Sequence, residues 1–425
     1  MIEKELEIYF DKLWPICRSI TGDGLRRSFK ILQELIPLSL TEVPSGSEVF
    51  DWTIPKEWNI NDAYIICPDG KKIAQFKINN LHVVNYSIPV NAELSFEELE
   101  KHLYYIKEMP DAIPYITSYY KETWGFCISY NEFTKLSKNG LYKVFVDSSL
   151  EKGSLTYGEC VLKGDTDEEV LFSTYLCHPS MANNELSGPL VQAFLYQKIA
   201  ALPKRKYTYR FLFAPETIGV VAFLHQYGLY LKEKLVAGYV LTCCGDNGSF
   251  VYKESKRANS TADIVAKHVL KHQSIPYQII PFSVGGSDER QYCSPGFNLP
   301  VGSLTRSMYQ RYKEYHTSLD NKDFISFEAM NKTVEVYFQF VKALELNKTF
   351  TNTIPYCEPQ LGKRGLYPSS VNPIESRDLI HNRMHLLTYA DGKNSLIDIA
   401  ELKNISVFDL EVHINPLIAA GVLKL

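Results

Sequence analysis

Between residues 156 and 345 the chain alternates two textures. Runs that are apolar almost end to end (EEVLFSTYL, KYTYRFLFA, AGYVLTCC, LPVGSL) are separated by longer stretches whose apolar residues recur every three or four positions, such as GPLVQAFLYQKIAAL and ADIVAKHVLKHQ. A strand covered on both faces needs no polar side, whereas the helix covering it does. The alternation predicts an α/β domain built on a doubly wound, mostly parallel sheet.

The flanks read differently. Residues 1–45 carry helical spacing in IEKELEIYFDKLW and in GLRRSFKILQELI, with Thr21 or Asp23 as candidate caps of the second helix. From 46 to 155, short aromatic and β-branched runs (FDWTI, AYIIC, HVVNYSI, LYKVFVD) are broken by Pro, Asn, Asp and Gly, which predicts a β-rich inserted domain. The α/β domain is then discontinuous, 1–45 with 156–348. A stretch rich in Pro, Gly, Asn and Ser follows, and residues 355–425 read as short helices ending in AAGVLKL, a winged-helix-like C-terminal domain.

Charge and cysteine usage narrow the function classes. With 45 Lys and Arg against 49 Asp and Glu, the net charge of −4 offers no basic field for nucleic acid or an anionic membrane. From Pro355 to Leu425 there are seven Lys or Arg against eight Asp or Glu, and the last helical stretch holds Asp409 and Glu411 but no basic residue before Lys424. Phosphate neutralisation supplies most non-specific DNA affinity, so no nucleic acid is expected despite the winged helix; a protein partner or a homo-oligomer fits better. Nine cysteines lack CxxC spacing, the N-terminus has no apolar signal core, and no apolar run reaches the ~18–20 residues that span a bilayer. A reduced, cytoplasmic protein without a membrane span is the expectation, with the vicinal Cys243 and Cys244 simply ending a strand.

The candidate chemistry lies at the strand ends. Ligands of open parallel sheets bind outside the carboxyl ends of the strands. EEVLFSTYLC is followed by His178, KYTYRFLFAP by Glu216, AGYVLTCCG by Asp246, and the chain beyond LPVGSL runs on to His316 in EYHTSLD. Each has a structural reading alone: a bonded histidine, a helix cap, an Asx turn, a loop residue. Together, two imidazoles and carboxylates suit a borderline-soft divalent cation, zinc first. Such an ion lowers the pKa of water toward ~7, and a glutamate beside it can move the proton to a leaving amine.

HPSMANNELSG, PETIG, GD, GSDERQYCSPGFNLP and EYHTSLD occur in the order found in zinc aminopeptidases of the co-catalytic, glutamate-carboxypeptidase-like superfamily. Across nearly all of its length the chain resembles a bacterial family of aminopeptidase-like proteins with a β-rich insert and a C-terminal winged helix. The resemblance implies a zinc-peptidase-like fold, His178 as the first metal ligand, Asp246 and His316 as later ones, and Glu216 as the general base. Asn184 falls where the two-metal enzymes place a bridging Asp, and Thr217 where they place a second Glu. Both substitutions remove anionic charge, so one zinc is expected rather than two, with Asn184 at most a weak donor.

Arg290 and Arg306 are candidates to clamp a substrate carboxylate, or else to pair with Asp288 or Glu289. Asp320 is a candidate to orient His316, with Asp288 behind the site, and Tyr119, Tyr120 and Trp124 to wall the cleft. The expected function is a zinc-dependent, aminopeptidase-like hydrolase of a peptide or amide bond. The alternatives are an amidase or deacylase acting on an amino sugar or other small amide, and a non-catalytic scaffold that binds a ligand or partner.

Overall fold

The computed structural model describes residues 2–367 and 373–425, and the chain divides into two compact units: Met1–Ala262 with Tyr277–Glu335, and Asp263–Pro276 with Val336–Leu425. The first is built on an eight-stranded sheet. Its strands in chain order are β1 (Ser39–Pro44), β2 (Ser154–Leu162), β3 (Glu169–Tyr175), β4 (Thr208–Ala214), β5 (Leu235–Leu241), β6 (Phe250–Lys253), β7 (Tyr277–Ile280) and β8 (Val301–Thr305). In space they run β1-β2-β4-β3-β5-β8-β6-β7.

The four central strands, β4-β3-β5-β8, are parallel, with Leu171 opposite Arg210 on one side and Gly238 on the other. β1, β2 and β6 join antiparallel. The sheet is therefore mixed, with a parallel centre. Every residue of β3 and β4 is buried, which is why those segments are nearly continuous in apolar residues. The charged exceptions, Arg210 and Glu169, meet each other: the guanidinium donates to the carboxylate through two bonds of 2.7 and 2.9 Å.

Two local features set the strand ends. Helix Ser187–Ala200 follows β3 through a wide π-type turn, Ala182–Leu186, every residue of which is buried. A Cβ on Gly188 would lie 2.5 Å from both the Leu241 carbonyl oxygen and Thr174 Oγ1, so only glycine lets this helix begin so close to the sheet. Helix Asp23–Leu32 has Gly22 at its cap and no side-chain cap. Thr21 is occupied instead, accepting from the Trp58 N–H at 3.0 Å and touching the Tyr86 hydroxyl at 2.6 Å.

Between β1 and β2 lies a second, four-stranded antiparallel sheet, in which Tyr142–Glu151 pairs with Glu57–Ile66 and Val90–Leu94. Its own apolar core includes Ile65, Leu99, Phe126 and Val144. From here residues 113–118 return to the main sheet's carboxyl edge. Tyr115 N–H donates to the His316 carbonyl at 2.8 Å, Ser318 N–H to the Ile113 carbonyl at 2.8 Å, and Pro114 bridges Thr317.

In the second unit Thr349–Asn352 is the middle strand of a three-stranded antiparallel sheet, between Asp391–Ser395 and Leu423–Lys424. Helices Pro373–Tyr389, Leu396–Lys403 and Val407–Ala419 accompany it. Capping boxes at Ser395 and Ser406 start the latter two sharply. His268 is locked within this unit: its Nδ1 meets Glu401 Oε1 at 2.6 Å and its Nε2 accepts the Val407 N–H at 2.9 Å. No helix among the described residues is long and apolar enough to cross a membrane.

Candidate active site at the carboxyl edge of the sheet

Three of the four residues delivered by strand ends share one cleft. His178, three residues beyond Tyr175 at the end of β3, is 5% exposed, and its Nε2 lies 3.5 Å from Glu216 Oε2. The ring centroids of His178 and His316 are 5.4 Å apart, and Tyr115 stands against both at 5.1 and 5.2 Å. Tyr315 stacks on His316 at 3.9 Å.

The His178 ring is aimed from behind. Its Nδ1 donates to Glu185 Oε2 at 2.8 Å, which leaves Nε2 as the lone-pair nitrogen facing the cleft. Glu185 is fully buried, accepts also from the Cys177 N–H, and has the fully buried Arg18 guanidinium 3.9 Å away. Arg18 in turn donates to the His178 and Leu13 carbonyls. Burial raises the Glu185 carboxyl to about 8, against the pull of Arg18 and of the N–H groups it accepts from. Cys177, 3.4 Å from His178 Nδ1, is buried and its thiol is held well above the usual range, so it packs rather than attacks.

Burial holds both imidazoles neutral. The pKa of His178 falls to about 3, with Arg18 adding to the effect, and that of His316 to about 3, with His178 adding. His316 Nε2 is buried without a hydrogen-bond partner among the described residues. Glu216 moves the other way: burial and the like charges of Glu185 and Glu289 raise it to about 7, opposed by Arg290. A carboxylate that titrates near neutrality beside a neutral imidazole has the make-up of a proton-transfer group.

The backbone is strained around this cleft. Thr217 (φ 63°), His316 (φ 56°), Tyr120 (φ 63°) and Ser180 (φ 47°) all occupy the left-handed region, costly for residues with a Cβ and above all for a β-branched one. Thr217 is held by its N–H donating to Asp288 Oδ1 at 2.7 Å, and its hydroxyl accepts from Arg290 Nη2 at 2.9 Å. Asp288, fully buried, thus fixes the Glu216–Thr217 peptide rather than an arginine.

Several expected roles are redistributed. Asp246 does not join the imidazoles. Its Oδ1 accepts from the Gly248 N–H at 2.6 Å and Ser307 Oγ at 2.7 Å, and its Oδ2 from the Ser307 N–H at 3.0 Å and Asn183 Nδ2 at 2.8 Å. Those four bonds fill the lone-pair sites of a carboxylate and leave none for a cation. Asn184 Oδ1 is taken by the Tyr175 hydroxyl at 3.2 Å, and its Nδ2 has no partner. Asp320 does not orient His316; its two oxygens accept the Asn183 and Asn184 N–H groups at 2.6 and 2.9 Å and so hold the π-type turn. Arg306, 3% exposed, donates to the Gly248 carbonyl and Thr333 and covers the Phe250 ring, away from the cleft.

Arg290 is in the cleft. It lines a cavity of about 290 Å³ with His178, Glu216, Tyr119 and Tyr120. Trp124 stacks on His102 at 3.7 Å and is not part of it. Trp52, not singled out in the sequence, takes that place and meets Tyr120 edge to face at 5.9 Å. Glu185 is legible in the sequence as a carboxylate that could offset the lost ligand charge, but not as the partner of His178 Nδ1; nothing local marked Tyr115.

The donors suffice for one cation at most. His178 Nε2 lies 3.5 Å from Glu216 Oε2 and the buried His316 Nε2 has no partner among the described residues, but the three ligand atoms do not all lie within 4.8 Å of one another. Asp246 is consumed and Thr217 is turned to Arg290.

A mixed sheet with a parallel centre, in a chain that also carries a winged-helix unit, places this protein among the aminopeptidase-like proteins. The crystal structure of a candidate peptidase from Clostridium acetobutylicum superposes with a TM-score of 0.93 at 43% identity, over 99% of this chain and 96% of that one. A Clostridium acetobutylicum protein named for polysaccharide biosynthesis and an aminopeptidase-like domain is 46% identical over 400 residues, 93% of this chain and 90% of its own. The zinc aminopeptidase BSAP of Bacillus subtilis shares the fold at 11% identity, TM-score 0.58, over 80% of this chain and 94% of that one. The family model described as a domain of unknown function (DUF4910) matches residues 8–347, and a winged helix-turn-helix model matches 348–425. The chain belongs to the DUF4910 family.

Proposed function

We propose that this protein is a zinc-dependent hydrolase of an amide bond in which His178 and His316 hold one zinc and Glu216 is the general base. The observation that carries the reading is a neutral His178 whose Nε2 lies 3.5 Å from a Glu216 carboxyl raised to about 7, with the neutral His316 ring 5.4 Å from that of His178. Zinc bound there would supply a Lewis acid for the scissile carbonyl and for water. Glu216 takes the proton of the attacking water and returns it to the departing amine nitrogen. Glu185 keeps His178 in the tautomer that presents Nε2, with Arg18 holding Glu185 in place. Tyr115 and Tyr315 fix the His316 ring plane by contact.

The Clostridium acetobutylicum relative's name, which joins polysaccharide biosynthesis to an aminopeptidase-like domain, supports an N-acyl amino sugar as a substrate beside a peptide. A scaffold without turnover is the second reading, favoured by the loss of anionic donors at Thr217 and Asp246. Metal content and turnover separate the two. Protein loaded with excess zinc and then desalted is expected to retain one zinc per chain by elemental analysis, and two would overturn the assignment. Paired assays with and without chelator on aminoacyl arylamides, peptides and N-acyl sugars test the rest: zinc loading with no turnover on any of them favours the scaffold.

The winged-helix unit is proposed to take a protein partner rather than DNA. Its helix Val407–Ala419 carries Asp409 and Glu411 and no basic residue, so it has no means of neutralising phosphates. Fluorescence anisotropy with a labelled 20-base-pair duplex is expected to show no binding that strengthens as salt is lowered. A steep salt slope would refute this.

A further inference from the structure

The cavity beside Glu216 has an electrostatic bias. Of the residues lining it, Arg290 is the cation and Glu216 the carboxylate. Arg290 cannot be neutralised. Among the described residues it has no ion pair; its one hydrogen bond goes to the Thr217 hydroxyl, and its Nε is buried with no partner. An unpaired guanidinium at the wall of a cavity is costly unless something anionic completes it. An N-terminal ammonium entering the same space would meet a fixed positive charge.

The rest of the lining is apolar or aromatic: Ile20, Ile218, Tyr119, Trp52 and Tyr120. Trp52 and Tyr120 are 41% and 54% exposed, and Tyr120 is held in the left-handed region, so its ring is kept at the mouth against a backbone cost. Exposed rings at the rim of a cavity this small accommodate one flat or ring-shaped group by stacking.

We propose that this cavity recognises a carboxylate on one side of the scissile amide, with Arg290 as the specificity-determining residue and Trp52 and Tyr120 as the platform for the group that bears it. The inference rests on the amide-hydrolase reading for the word scissile, but the binding itself does not. The carboxylate can come from a C-terminal amino acid or from an acidic sugar. In either case the bond cleaved is the amide joining an acyl group to the nitrogen of the carboxylate-bearing part. Water adds to the acyl carbon, the C–N bond breaks, and the amine leaves with the proton Glu216 delivers.

Binding to the full-length, zinc-loaded Glu216→Gln protein tests this without needing turnover. Calorimetric titrations would compare N-acetylphenylalanine, its neutral amide, phenylalaninamide with its free ammonium, N-acetylmuramic acid and the methyl ester of that sugar. One of the two carboxylates is expected to bind at least about 10-fold more tightly than its neutral counterpart and than phenylalaninamide. The tighter of the two names the source. Arg290→Gln is expected to weaken that ligand by about 10–100-fold, and Arg290→Lys, which keeps charge but not the planar fork, by less. Equal binding of acid and neutral forms, preference for the ammonium, no binding of either acid, or an unchanged affinity in a folded Arg290→Gln variant would each overturn the proposal. If binding behaves as expected and no acylated acid is hydrolysed by the wild-type protein, the amide-hydrolase reading fails and the carboxylate site stands.

Discussion

Glu216→Gln is expected to reduce amide hydrolysis by about 10²–10⁴-fold while one zinc stays bound. The substitution is nearly isosteric, so the cleft keeps its shape, and the amide cannot take a proton from water. The two imidazoles remain, each with an Nε2 that the change does not touch. Loss of zinc together with activity would instead make Glu216 a ligand, and the base would have to be sought elsewhere. The pH dependence follows from the same group. Glu216 is raised to about 7, and its basic form is the deprotonated one. Activity should therefore rise with pH through about 7 and then level off. His178 and His316, held to about 3, contribute no limb between pH 5 and 8. An arm near 4 in kcat/KM would show that burial does not govern the glutamate.

The second large effect lies beneath the site. Arg18 and Glu185 are both fully buried and face each other at 3.9 Å. Removing one partner of a buried pair costs up to about 3–5 kcal/mol when the other stays charged. Above about pH 8, where Glu185 is ionised, the full cost applies, and below it the carboxyl can protonate instead. The total stability of a folded domain is only ~5–15 kcal/mol. Arg18→Met alone should therefore lower the unfolding midpoint sharply in denaturant. The double replacement Arg18→Met with Glu185→Gln should recover most of the loss, because the glutamine amide still reaches the His178 Nδ1 while no charge is stranded. Activity should not recover equally, since a neutral amide holds the imidazole less firmly than a carboxylate. A double variant no more stable than the single one would show that Arg18 acts through its bonds to the Leu13 and His178 carbonyls alone.

The sheet centre was legible because burial on both faces writes an almost unbroken apolar run, and β3, β4, β5 and β8 all follow such runs. The antiparallel flanks were not. β1 is exposed or half-buried throughout and β2 is only partly apolar, and nothing local says that Ser39–Pro44 pairs with Ser154–Leu162 across more than a hundred residues. Strand ends pointed to His178 and Glu216 because each side chain follows its strand within three residues. Asp246 follows Leu241 by five, and in that distance the chain turns through Cys243 (φ 49°) and delivers the carboxylate to Ser307 and Asn183 instead. Asp320 was misread for a related reason: four residues after His316 suggests a neighbour, but the turn at Thr317 aims it at the Asn183 and Asn184 amides. Order along the chain survives insertion and looping far better than the direction in which a loop side chain points.

The cleft's aromatic wall hangs from main-chain bonds. Residues 113–118 are stitched to 316–318 through Tyr115 N–H to the His316 carbonyl and Ser318 N–H to the Ile113 carbonyl. Peptide groups make such bonds whatever side chains they carry, provided the donor is not proline. Descendants of this chain can thus exchange the exposed ring at position 120 without moving His316. What the mouth admits and what the centre does are free to diverge on separate schedules.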